Sequence, residues 1–579
     1  MNPKQQRWWH FGLLMLWIAL GTILRLSRLA SLPPWTDECA TMVFSLGNSF
    51  QTVPLNQWIS SDVLLSPLHP VADADTGSVV NHLIQESTHP PIYFVLTHWW
   101  MKVFATNDGL VSLWGARSLS VFWGVASIPS LFGLGYLAFG SRLVGQIAAA
   151  MMAVSPYGIF LAQDARHYTL AILLVIASLS YLVMAVQAIH RHQPLSVGMG
   201  LGWVGVNSLG IATHYFFSLT LCAEGIVLLI QAWQQGSNDP QSWTRSHWRR
   251  IYAVAGGTLI GCLVWLPALY NIYGSEPTAW IADGDLTREW LAPIGRLLIW
   301  GLSMILLLPT ATTMLPIGIV VISGIVTVLF ILSMIPSLAN GWKLQQKFPD
   351  RRLTLQVVRG YVGSVIALVL GITYGLGMDV TLGARFQFVY FPAVILLVAG
   401  MLAGVWQQGT FAPASGIKHG KAMVAMIWLM GFIGGLTAIG NLGYLQNHRP
   451  DLLAPVIQKA SQSPIFIATT HKHHGQTGRL MGLAWDFQRL SERKDAQTDR
   501  IVSAQFFLAD RDPQTRTYTD AIAVFQNTLT ALPRPFDLWL VDFRTTVDLE
   551  AQHCFRDRSY GSWAGEYKYK LYRCRVAKE

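Results

Sequence analysis

Apolar runs of membrane-helix length recur along this chain, separated by short connections that carry many of its lysines and arginines. A helix needs roughly 17–25 mostly apolar residues to cross a bilayer. Eleven segments fit: 8–24, 114–137, 144–160, 168–189, 195–213, 216–233, 251–269, 315–335, 361–378, 388–406 and 422–439. Two further apolar stretches, 92–105 and 294–309, are shorter. The pattern changes character twice. A long polar loop occupies 25–91, and after Asn441 the chain alternates strand-like runs (464–469, 501–508, 536–541, 567–576) with helix-like ones (480–490, 518–532). That alternation predicts a small α/β domain. The expected fold class is a polytopic α-helical membrane protein with 11–13 transmembrane helices and a small C-terminal extracytoplasmic α/β domain. Its expected domains are a membrane part over 1–444, including the first outer loop 25–91, and a soluble part over 445–579.

Orientation follows from the basic connections, because lysine and arginine favour the cytoplasmic side. Arg142, Arg191, the stretch 245–250, the stretch 343–359 and the stretch 418–421 all fall inside if the eleven strong segments cross and the two short ones re-enter or lie at the interface. With thirteen crossings several of these loops change sides. Either odd count places the C-terminus outside when the N-terminus is inside.

Composition supports this reading. Charged residues make up 12% and hydrophobic ones 52% of the chain, against about 25% charged in a soluble protein. The 23 tryptophans suit lipid interfaces. The net charge of +10 is explained by basic cytoplasmic loops rather than by nucleic acid. The first apolar run follows Lys4 and Arg7 as in a signal peptide, but Arg25 and Arg28 follow it without a small-residue cleavage site, which favours an uncleaved helix. Of five cysteines, Cys554 and Cys574 share the polar tail and are candidates to pair in an oxidising compartment.

Candidate chemistry gathers at the outer ends of the apolar segments. Asp37 and Glu38 follow Leu32-Pro33-Pro34-Trp35-Thr36 just beyond the first segment, where a carboxylate suits the role of base toward an acceptor hydroxyl. His89 precedes Pro90-Pro91, which stiffen its approach to the next helix. Gln163-Asp164-Ala165-Arg166-His167-Tyr168 interrupts two apolar segments, and Thr213-His214-Tyr215-Phe216 does the same further on. Arg385 offers a permanently charged fork suited to a phosphate, although anchoring to lipid headgroups would serve it equally. Glu224 lies inside an apolar run and receives no role. His471-Lys472-His473-His474 has no companion cluster and reads as an exposed loop rather than a metal site. No glycine-rich phosphate loop precedes a helix, so nucleotide-sugar chemistry has no support.

In their order, Trp35-Thr36-Asp37-Glu38, His89-Pro90-Pro91, Gln163–Tyr168, Thr213–Phe216 and Ala384-Arg385 resemble the motifs of membrane-embedded C-type glycosyltransferases, protein O-mannosyltransferases and lipid A aminoarabinose transferases in particular. The resemblance covers the membrane part and leaves the tail unmatched. It implies an inverting transfer of a sugar, a mannose-like hexose or a related pentose, from a polyprenyl-phosphate donor to a lipid, glycan or protein acceptor outside the cytoplasm. The expected membrane is a bacterial inner membrane, since no eukaryotic retention signal ends the chain. It assigns catalysis to Asp37 with Glu38. It assigns donor and acceptor binding to His89, Asp164, Arg166, His167, Tyr168, His214, Tyr215 and Arg385. Such enzymes occur with and without a required divalent metal, so no cofactor is assigned. The competing expectation is a transporter or flippase for a lipid-linked or small solute.

Overall fold

A computed structural model of the protein describes residues 3–106, 109–238, 245–267, 276–282, 288–411, 420–492 and 504–576. Every one of the eleven strong apolar segments coincides with a helix or a bent pair of helices. Among the described residues, seven helices are long and apolar enough to cross a membrane: Lys4–Leu26, Leu113–Phe139, Tyr168–His190, Phe217–Ser237, Ile317–Gln345, Pro349–Leu376 and Gly420–Ile439. An eighth crossing is available if Arg142–Val154 and Pro156–Ala162, bent by 56° at their junction, count as one span. The helix Val197–Thr213 is apolar but only 17 residues long. Ser246–Leu263 is less apolar than its neighbours because arginines occupy its first turns, and the expected end of that segment at 269 lies outside the described residues.

The crossing helices mark the chain as an integral membrane protein, since helices satisfy their own backbone groups in hydrocarbon. Ile322, Leu329 and Leu332 of the helix Ile317–Gln345 are largely exposed, as lipid-facing side chains should be. Tyr168–His190 is by contrast buried along most of its length and forms the centre of the helical core. The two short apolar stretches become the helices Ile92–Met101 and Ala292–Ser303, of 10 and 12 residues. At 1.5 Å per residue they reach about 15–18 Å, too short to cross alone.

The chain forms two compact units. One combines Met1–Arg28 with Arg117–Leu445; the other combines Leu29–Ala116 with Gln446–Glu579. The first polar loop therefore folds with the tail rather than with the membrane helices, which divides the chain differently from a split at 444.

In the second unit six strands form one mixed sheet: β1 Trp58–Ser60, β2 Ile465–His471, β3 Ala504–Asp510, β4 Phe536–Val541, β5 Cys554–Ala564 and β6 Tyr567–Cys574. Their order is β1-β3-β2-β4-β6-β5, with β3, β2 and β4 mutually parallel and the outer strands antiparallel. The helix His474–Glu492 joins β2 to β3 and Thr519–Ala531 joins β3 to β4. Phe525 and Leu529 of the second helix pack on Phe466, Phe507 and Leu538. The opposite face carries Ile465, Ile467, Phe506 and Trp539, all buried, against the side of the first helix. Crossing to either side of β2 requires helices on both faces when each crossover is right-handed.

The four strands and two helices expected in the tail are all present. Three elements are additional. The helix Pro450–Ala460 precedes β2, β5 forms an edge, and β1 arrives from the first loop. Trp58 seats β1 by packing 5.0 Å from Phe466 and 5.2 Å from Phe507, ring to ring. Cys554 and Cys574 face each other in the β5–β6 ladder and are joined in a disulfide.

Candidate active site

The ten residues assigned from the sequence divide between the units. Asp37, Glu38 and His89 belong to the second; Asp164, Arg166, His167, Tyr168, His214, Tyr215 and Arg385 belong to the membrane unit.

In the second unit the helix Thr36–Ser45 begins directly after Trp35, so Asp37 sits half-buried in its first turn. An acid in that position is favoured by the free N–H groups and positive dipole end of the helix. Glu38 is fully buried, and its carboxylate accepts a hydrogen bond from the Trp35 N–H at 3.3 Å. That bond ties off the helix start in the manner of a capping carboxylate. The carbonyl of Asp37 accepts from the Thr41 hydroxyl at 3.1 Å. His89 lies before the helix Ile92–Met101, with its Nδ1 3.0 Å from the Ser87 hydroxyl and its ring 5.9 Å from that of Phe94.

In the membrane unit three separated motifs converge. The ring of His167 lies 4.8 Å from Tyr168 and 4.5 Å from His214, and Tyr168 and His214 are 5.7 Å apart. Phe388 packs against both Tyr168 and His214 at 6.2 and 5.0 Å. The Arg166 guanidinium is 5.8 Å from the Tyr168 ring. Phe216 stacks on Phe386 at 4.6 Å, and the Arg385 guanidinium rests 5.3 Å from Phe386 and 5.4 Å from Trp280. Arg166 and Arg385 thus both border one connected cluster of rings that includes His167, Tyr168 and His214. The Phe216 N–H donates to His214 Nδ1 at 3.0 Å, which leaves the proton of a neutral ring on Nε2. Tyr215 packs instead on Trp265 at 6.1 Å.

The backbone beneath this cluster is held by polar groups. The Ser120 hydroxyl donates to the Arg166 carbonyl at 2.8 Å. Gln163 donates to the carbonyls of Arg25 and Ser27 at 3.3 and 2.8 Å, so it closes the end of the first helix. Tyr157 donates to the Ala384 carbonyl at 2.9 Å, which fixes the turn bearing Arg385. Arg296 pairs with the buried Asp379, whose other oxygen accepts from the Thr381 hydroxyl at 2.6 Å. Asp379 went unassigned from the sequence, yet it is the sole acidic residue between Asp350 and Asp451. An isolated acid between two apolar helices is the signal that could have found it.

Arg25 is another such residue. It is completely buried, and its guanidinium donates to the carbonyls of Ala153 at 3.0 Å, Met152 at 2.9 Å and Gly21 at 3.1 Å. Met152 and Ala153 end the helix Arg142–Val154, where Pro156 prevents continuation. Arg25 is therefore the cap of the bent pair. Glu224 is buried with Ser178, which donates to it at 2.8 Å, in a cluster with Asn207 and Trp203.

The histidine run after β2 is not an exposed loop. His471 Nδ1 lies 2.8 Å from Asp510 at the end of β3, and the His474 ring packs 5.2 Å from Phe50 and 5.6 Å from Phe44. Among the described residues no three His, Cys, Asp or Glu side chains come together as a metal-binding group.

No protein-family model matches the chain, and no curated protein sequence matches it. Among solved structures it is similar to ArnT from Cupriavidus metallidurans in the apo state, at 12% identity and a TM-score of 0.47 over 97% of this chain and 98% of that one. The same enzyme bound to undecaprenyl phosphate gives 12% identity and a TM-score of 0.48 over the same shares. The apo oligosaccharyltransferase of Archaeoglobus fulgidus gives 10% identity and a TM-score of 0.43, over 94% of this chain and 70% of that one.

Proposed function

We propose that this chain is a membrane glycosyltransferase that moves a sugar from a polyprenyl-phosphate carrier to a lipid, glycan or protein acceptor at the extracytoplasmic face, with inversion. The observation that carries the reading is the convergence of Arg166, His167, Tyr168, His214 and Arg385 from three distant motifs onto one connected cluster of aromatic rings. The fork of donors on the Arg385 guanidinium suits a phosphate that gains charge as it leaves. Asp37 takes the proton of the acceptor hydroxyl. The freed oxygen attacks the anomeric carbon from the face opposite the phosphate, and the bond to the phosphate oxygen breaks with its electron pair staying on the carrier. Glu38 keeps the helix start intact for that event. The disulfide in the second unit supports placing Asp37 outside the cytoplasm, where disulfides persist.

The test is transfer by the purified chain in lipid nanodiscs, from a labelled polyprenyl-phosphate sugar to extracted envelope acceptors. Asp37→Asn should lower kcat by about 10²–10⁴-fold. Undiminished transfer by that variant would sink the reading. A transporter or flippase is the second reading, and the buried Glu224 cluster is what favours it. Carrier flux in liposomes holding only this chain, lost in Glu224→Gln, would establish it instead.

A further inference from the structure

The start of the helix that carries Asp37 is pressed against the helix His474–Glu492. A Cβ on Gly478 would lie 3.0 Å from the Thr36 carbonyl oxygen, and one on Gly482 would collide with that of Pro34. Two glycines one helical turn apart thus let the helix touch the backbone of the turn just ahead of Asp37.

Polar contacts continue from there. His448 Nδ1 is 2.9 Å from the Thr36 hydroxyl oxygen, and His448 Nε2 is 3.0 Å from Arg479 Nη1. Arginine can only donate, so Nε2 is the acceptor and the ring proton sits on Nδ1, donating to Thr36. Arg479 is itself held on several sides. Its Nε pairs with Asp542 at 2.7 Å, just past the end of β4, and its Nη2 donates to the Glu566 carbonyl. Its guanidinium lies 4.5 Å over the Tyr567 ring. Burial pushes the Tyr567 phenol up, so it remains a donor to the Arg479 carbonyl at 3.2 Å.

We infer that His448 and Arg479 are positioning residues, through which the sheet of the tail fixes Thr36 and so the direction in which the adjacent Asp37 projects. The tail thereby belongs to the catalytic apparatus rather than to acceptor recruitment. This rests on Asp37 acting as the base. Neither residue touches the reacting atoms in this scheme. Their effect is on the orientation of a base, where an error of about 1 Å can cost roughly 10²-fold.

The experiment compares steady-state transfer by the full-length chain for Thr36→Val, Thr36→Ser, His448→Ala, His448→Asn and Asp37→Asn. Thr36→Val keeps the shape and removes the acceptor oxygen, so it tests the contact even if a histidine variant unfolds. The expected result is a kcat loss of about 10²-fold or less in Thr36→Val and His448→Ala, with donor KM unchanged. Thr36→Ser should retain activity, and His448→Asn should recover part of it, because its amide nitrogen takes the place of Nδ1. If Asp37→Asn is inactive while Thr36→Val and His448→Ala keep full kcat, the positioning role is overturned and the base survives. A raised KM with unchanged kcat overturns it too. If Asp37→Asn is fully active, the base reading falls first and this inference with it.

Discussion

At the scale of single residues, backbone contacts set limits that side-chain chemistry cannot relax. Gly482 has a carbonyl where its Cβ would go, so Gly482→Ala must move either the helix or the Pro34 turn. The expected loss is about 1–3 kcal/mol, seen as a lower unfolding midpoint of the full-length chain in detergent, with reduced kcat in the folded fraction. Arg385→Lys keeps the charge but loses the fork and the stacking on Phe386 and Trp280. If Arg385 binds the carrier phosphate, the variant should weaken donor binding, measured as a rise in donor KM, while Arg385→Ala loses more. Residues of this kind were partly legible. Arg166, His214 and Arg385 stood out as polar groups at the ends of apolar runs. His448 and Arg479 did not, because a histidine and an arginine in a polar tail carry no local sign of their partners 412 and 31 residues away.

At the scale of elements, the apolar runs are legible because a membrane helix is written in contiguous residues. What escaped was how helices end. Ser155-Pro156 is visible as a break, but the cap for the freed carbonyls comes from Arg25, 127 and 128 residues earlier. Arg25→Leu would bury those carbonyls without a donor. A loss of about 1–3 kcal/mol for each unsatisfied group is expected, read as a marked drop in thermal stability, whereas Arg28→Leu nearby should change little. The strand β5 is hidden in the sequence for a different reason. As an edge strand it leaves Phe555, Arg556 and Arg558 in solvent and shows no apolar alternation. β1 is three residues long, below what periodicity can resolve.

At the scale of the whole molecule, the long polar loop and the tail make one folding unit although the membrane helices separate them in sequence. Ending the chain at Leu445 should therefore unfold Leu29–Ala116 as well. Limited proteolysis with mass spectrometry should then find cuts throughout that region that the full-length chain resists. If the unit is extracytoplasmic, a cysteine placed at the exposed Gln51 should react in intact cells with a reagent that cannot cross membranes. Labelling only after lysis would contradict that orientation. Division into units was the least legible property, because hydrophobic pattern reports what each segment is and not which distant segment it joins.

The pairing of β1 with β3 also imposes an order on biosynthesis. Trp58 leaves the ribosome early, and its partner Phe507 only after the membrane helices have been made. At about 5–20 residues per second the interval is roughly 20–90 s. Throughout it, β1 and the carboxylate-bearing turn wait without β3 and the helix His474–Glu492 that support them in the folded unit.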